Sequence, residues 1–408
     1  MLLWALISSA TACKKEKAAV QDAPVSPTTG TRTQFTLDSI YLYSKQVYLW
    51  SDVLSNYDQF NPRGYTTESS DLANFKKELF IISQLKVNPA SGLPFEHTAT
   101  SGLSKYAYLE NGNNKGILAA SGNLNQAAVL KTAQIKTGGK QIAYLAMGSF
   151  PVLNNSKAAI DNAFASLSAA NPTYLVIDLR SNGGGYVETA AYVANLVAGT
   201  ALNGKVMYSE QYNSLVQSGK APILKKQLYY DSQGKTILLN GKNATMADVD
   251  FTEAGNTSLF SKKGTMESIT DIYFIVSAQT ASASELLISV LKPYFKVYLI
   301  GEKTYGKPVG SFPINIDTYS IYIPSFILRN SKGWSDYFDG MSPDIPMSMA
   351  DNPVLGDPTE PCLSVALHAI TTGITTHTAI SSLKNNRNTT TGIAPSPVMI
   401  ETRYRLKK

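Results

Sequence analysis

Two short segments carry residue types and spacings that could do chemistry. The first is DLRSNGGG at 178–185, which follows the apolar run YLVIDL and precedes a stretch of helical character. Three consecutive glycines leave backbone N–H groups unshielded and free to take positive φ. Amides exposed at a helix start can bind an anion or a developing oxyanion; a tight strand-to-helix turn that needs glycine for sterics alone is the other reading. No Walker-type or dinucleotide-type glycine pattern is present, which argues against a phosphate loop. The second segment is SAQTASASE at 277–285, again between an apolar strand and an amphipathic helix. A serine there would present its hydroxyl beside the positive end of the helix dipole. Ser282 through Glu285 also fits a capping box, a purely structural device.

A nucleophilic serine needs a base. The three histidines, His97, His368 and His377, lie far apart and none sits in a motif. That scatter also argues against a catalytic zinc site, and no metal or cofactor is expected. A lysine kept neutral by desolvation can serve instead. GEKTYGKPVG at 301–310 follows the next apolar strand and offers Lys307 between glycines, with Lys303 as the competing choice. Ser289 to Lys292 spells S-x-x-K and 136–138 spells K-T-G, but their order is the reverse of that in penicillin-recognising enzymes, so both are read as chance.

The elements that must position these residues are visible in the hydrophobic pattern. Nearly continuous apolar runs at 142–147, 174–179, 272–276 and 297–300 read as strands covered on both faces, alternating with helical stretches at 156–170, 186–198 and 283–292. That alternation predicts an α/β core with a largely parallel sheet. Residues 36–55, with apolar positions 40, 41, 43, 47, 48 and 50, and residues 69–85 predict two helices of a small N-terminal domain at 35–85. The region 86–140 is Gly/Asn-rich without clear periodicity, 203–270 reads as a polar insertion into a domain spanning 141–375, and 376–408 reads as a poorly ordered basic tail.

Charge is unevenly placed. Of the net +6 on 408 residues, 14–17 carry +2 and 384–408 carry +5, leaving −1 for the body, so there is no basic face for nucleic acid. Residues 2–12 form an apolar run suited to a signal peptide and too short to span a bilayer. ATAC at 10–13 resembles a bacterial lipobox, in which Cys13 would be lipidated; Ala10 and the lack of a basic start depart from the pattern, and an ordinary cleaved signal with a bystander cysteine is the other reading. Residues 14–34 then read as a tether, and Cys362 as a packed core thiol.

Taken together, DLRSNGGG, TASASELLISVLKPY and LIGEKTYGKPVG resemble the carboxy-terminal processing peptidases, or tail-specific proteases, which are serine peptidases with a Ser–Lys dyad. The resemblance implies Ser282 as nucleophile and Lys307, 25 residues later, as general base. It implies an oxyanion hole from the amides of Ala283 and Gly184, and an α/β fold with a crotonase/Clp-protease-like spiral core. FDGMSPDIPM and LGDPTEPCLSVAL resemble segments closing that domain, and SIYLYSKQVYLWSDVL the helical segment of the family's lipoprotein members. Two departures stand out. The family's PDZ domain has only about 55 residues available at 86–140, and a glutamine usual four positions after the lysine is Ser311 here. The implied function is a lipid-anchored serine endopeptidase of the cell envelope acting on protein or peptide substrates. The alternative is a catalytically weak or inactive peptide-binding or scaffold lipoprotein on the same fold.

Overall fold

The computed structural model describes residues 27–113, 127–231, 234–373, 398–400 and 404–407. The proposed lipidation site Cys13, the signal segment, most of the tether and His377 lie outside these residues.

The N-terminal part is helical. Helix α1 (Arg32–Val47) starts at Thr31, whose hydroxyl and the Gln34 side chain form a reciprocal capping box. It ends eight residues before the end of the predicted helix, where Tyr48 turns extended. After the short α2 (Tyr57–Phe60), α3 (Asp71–Ser83) is capped by Ser70 and packs on α1. Strand β1 (Tyr108–Asn111) follows.

The core opens with β2 (Val129–Thr137), β3 (Lys140–Met147), α4 (Leu153–Ser168), β4 (Tyr174–Asp178), the glycine strand β5 (Gly184–Tyr186) and α5 (Val187–Val197). Within 203–270 lie β6 (Val206–Tyr212), α6 (Ser214–Gln217), the small hairpin β7 (Leu238–Leu239) and β8 (Lys242–Asn243), and β9 (Thr257–Leu259). The chain continues with β10 (Asp271–Val276), α7 (Ala283–Leu291), β11 (Lys296–Gly301), β12 (Val309–Gly310), β13 (Ile314–Ile316), β14 (Tyr319–Tyr322), β15 (Phe326–Asn330), β16 (Ile345–Pro346), α8 (Pro361–Thr372) and β17 (Val398–Ile400).

The principal sheet has the order β16-β11-β10-β4-β3-β2 and is parallel except for the β2 edge. The four predicted apolar runs are its central strands. Their residues alternate between two faces, Leu145, Ile177, Phe274 and Leu299 packing with α4, α5 and α7, and Tyr144, Val176, Ile275 and Ile300 packing under α8. A strand buried on both faces cannot show polar alternation, which is why these segments read as unbroken hydrophobic runs. Cys362 on α8 is fully buried there, and burial pushes its thiol up to about 12.

Two expectations about boundaries change. β2 lies before residue 141 yet pairs with β3 as the sheet's edge, so the core begins at least twelve residues earlier. Part of the 203–270 insertion also joins the fold: β6 and β9 build a second sheet, β12-β15-β6-β9, with the strands that follow the lysine segment. The tail is likewise not wholly detached. Residues 374–397 lie outside the described ones, but β17 pairs with β5, and Leu406 bridges Val249.

Candidate active site

The site forms where β4, β10 and β11 end at their carboxyl edges, the usual place for chemistry in an open parallel sheet. Each strand runs into one of the three motif turns, and the turns are bonded to one another. Thr280 Oγ1 donates to Leu179 O at 2.8 Å, Ser277 Oγ to Arg180 O at 2.5 Å, and Ser284 Oγ to Asn182 O at 3.0 Å. Tyr305 N donates to Thr280 O at 3.0 Å, joining the lysine turn to the serine turn.

Ser282 is the N-cap of α7 and is fully buried, with φ 64° and ψ −117°. A serine in that region is held against its own sterics at a cost of about 1–3 kcal/mol, a kind of strain that persists where surrounding contacts over-determine it and clusters at functional sites. The Glu285 carboxylate supplies much of that over-determination. It accepts from Ser282 N at 2.9 Å, Thr304 Oγ1 at 2.5 Å, Gly306 N at 2.7 Å and Lys307 N at 2.8 Å. Ser282 and Glu285 thus form the expected capping box, and the same carboxylate also clamps the lysine turn 22 residues on. Burial raises the Glu285 carboxyl, and the four donors work against that rise.

The structure separates the two lysines. Lys303 is exposed, whereas Lys307 is 3% exposed. Desolvation holds the Lys307 amine down to about 8, with Glu96 and Glu285 opposing the fall. Its Nζ lies 6.0 Å from the Tyr106 ring centre. Gly306 is required beside it: φ is +88°, and a Cβ would stand 2.3 Å from Phe338 O.

Glu96 is the residue that sequence reasoning missed. It is fully buried, accepts from Tyr48 Oη at 2.7 Å and Ala107 N at 2.7 Å, and burial pushes it up to about 7. Its neighbour His97 is exposed, as is His368 on α8, so neither histidine enters the site. Lys292 of the S-x-x-K coincidence lies over the Trp334 ring at 5.4 Å. Ser311 is half-buried just past β12.

The glycine turn supplies amides. Gly184 and Gly185 have φ of +105° and +139°. The Gly184 N–H donates to Asn182 Oδ1 at 3.0 Å. Phe150 takes Gly184 O and gives its own carbonyl to Tyr186 N, so by alternation the Gly185 N–H and C=O face the opposite edge of β5. Ala283 N opens α7 and has no intrahelical acceptor. Beneath the turn, Arg180 forks onto Asp178 (2.8 Å) and Glu360 (2.6 Å), all three buried.

The family model for peptidase family S41 matches residues 141–347, half of the chain and all three turns. The chain belongs to peptidase family S41. A C-terminal processing peptidase, chloroplastic, from Tetradesmus obliquus is 26% identical over 207 residues, which is 50% of this chain and 35% of that protein. The chain thus matches about a third of the length of that relative. Among solved structures, a photosystem II D1 C-terminal processing protease is 15% identical, with 78% of this chain and 94% of that one covered and a TM-score of 0.45. A peptidase from Parabacteroides merdae is 14% identical, with coverage of 83% and 97% and a TM-score of 0.48. The mixed α/β core at 141–347 is that of an S41 peptidase.

Proposed function

We propose that this S41 chain is a serine endopeptidase that works by a Ser282–Lys307 dyad on protein or peptide substrates. The observation that carries the reading is the strained, buried Ser282, tied through one carboxylate to a lysine whose amine is depressed toward neutrality. Neutral Lys307 takes the proton as Ser282 Oγ attacks the peptide carbonyl, and returns it to the leaving amine. Water then hydrolyses the acyl-enzyme by the same route. The tetrahedral oxyanion forms against the Ala283 amide and the glycine turn. There Gly184 N, which donates to Asn182 Oδ1 at rest, would turn to the oxyanion.

A fluorophosphonate probe tests the nucleophile. The wild-type chain should be labelled at Ser282, and Ser282→Ala should not; equal labelling of both removes Ser282 from the role. The lipobox-like run supports a further proposal, that Cys13 anchors the enzyme to a bacterial envelope membrane. Cys13→Ser should then move it from the membrane to the soluble fraction of expressing cells, and unchanged membrane recovery would rule the anchor out.

A further inference from the structure

The C-terminal residues occupy the edge of β5 that the site would offer a peptide. β17 pairs in parallel with β5, Val398 opposite Gly184, Met399 opposite Gly185 and Ile400 opposite Tyr186. Because Phe150 holds the other edge, the β17 partner is Gly185, whose N–H meets the carbonyl of Val398 and whose carbonyl meets the N–H of Ile400. β17 also lies against β12, which begins two residues after Lys307. The segment therefore runs between the glycine strand and the strand that leaves the lysine turn.

The end of the chain is fastened elsewhere. Arg405 O accepts from Asp250 N at 2.7 Å, Lys407 N donates to Asp248 O at 2.8 Å, and Lys407 Nζ donates to Ala247 O at 2.7 Å. Tyr404 packs near Phe251 and Phe312. After the bonds accepted from Thr245 and Thr252, Lys407 also holds the Asp248 carboxyl down, and Lys407 and Arg405 the Asp250 carboxyl. This clasp positions 398–400 without drawing on the cleft itself.

We infer that the open edge of β5 is a β-augmentation surface for an extended peptide, and that residues 398–400 of this same chain are its resident occupant. The enzyme rests with its own tail strand in place, and a substrate strand enters by displacing it. This rests on the reading of Ser282 and Lys307 as the catalytic pair.

The test is amide exchange at Gly185 in the full-length chain, read beside the rate of fluorophosphonate labelling. Ile400→Pro deletes the N–H that meets Gly185 O. Gly185 should exchange about tenfold faster in this variant, as expected for a lost strand bond, and Ser282 should label faster. The double variant Arg405→Glu, Lys407→Glu places like charges beside Asp248 and Asp250 on exposed positions and should shift both readouts the same way by less. A synthetic peptide of residues 394–408 added to Ile400→Pro should restore slow exchange. Unchanged Gly185 exchange in both variants overturns the inference. Faster exchange without any labelling in wild type or variants supports the strand while sinking the catalytic reading, so the two failures are distinct.

Discussion

Two buried charge clusters, one around Arg180 and one around Lys307, are built on opposite terms. Under the glycine turn, Arg180 bridges Asp178 and Glu360, which also accept from Tyr144 Oη and Leu363 N. Every charge is matched by a geometry that only guanidinium provides: burial disfavours the Arg180 cation, but its bonds to Glu360 and Asp178 and their charges outweigh burial and keep it protonated. Around Lys307, the two carboxylates spend their lone pairs on backbone amides and hydroxyls instead. The lysine is left with desolvation as its largest influence. The first cluster fixes a turn permanently; the second holds an ammonium that loses its proton easily.

Arg180→Met should break the first cluster most severely, costing about 3–5 kcal/mol in urea unfolding, because two buried carboxylates lose their cation. Lys307→Met, of similar volume, should leave stability at pH 7 unchanged or higher, since the buried amine is disfavoured in its charged form. Equal losses in the two variants would erase the distinction.

Glu96→Gln should act more gently, through pH dependence. The Glu96 charge raises the Lys307 amine, so its removal should move the rising limb of activity below its midpoint near 8. The same substitution bears on stability. Glu96 is raised in the fold to about 7, so the native state holds its proton where the unfolded chain has released it. Stability should fall as pH rises from about 4.5 through 7 in the wild type, and this component should be absent in Glu96→Gln. An unmoved activity limb would show that Glu96 does not sense Lys307.

Much of this was legible because local constraints leave local signatures. Buried parallel strands gave apolar runs, and the turns gave glycines and a capping box around Ser282. The choice of Lys307 over Lys303 needed a second source, either the 25-residue interval of the family or the burial seen in the fold. Glu96 left no signal: it lies in a Gly/Asn-rich stretch, and its importance comes from Tyr48, Ala107 and Lys307, which only the fold brings to it. β2 was missed because an edge strand with exposed lysines lacks the apolar run of its neighbours. The tail strand was missed because pairing through backbone groups asks little of side-chain pattern.

The central claim is that Lys307 is the base for Ser282. Its most direct test is the pH dependence of Ser282 labelling by a fluorophosphonate in wild type and Lys307→Arg. The wild-type rate should climb to a plateau with a midpoint near 8, and Lys307→Arg, whose guanidinium stays protonated, should show at least a ~100-fold lower rate with no such limb. A Lys307→Arg protein that labels at the wild-type rate with the same midpoint would contradict the account.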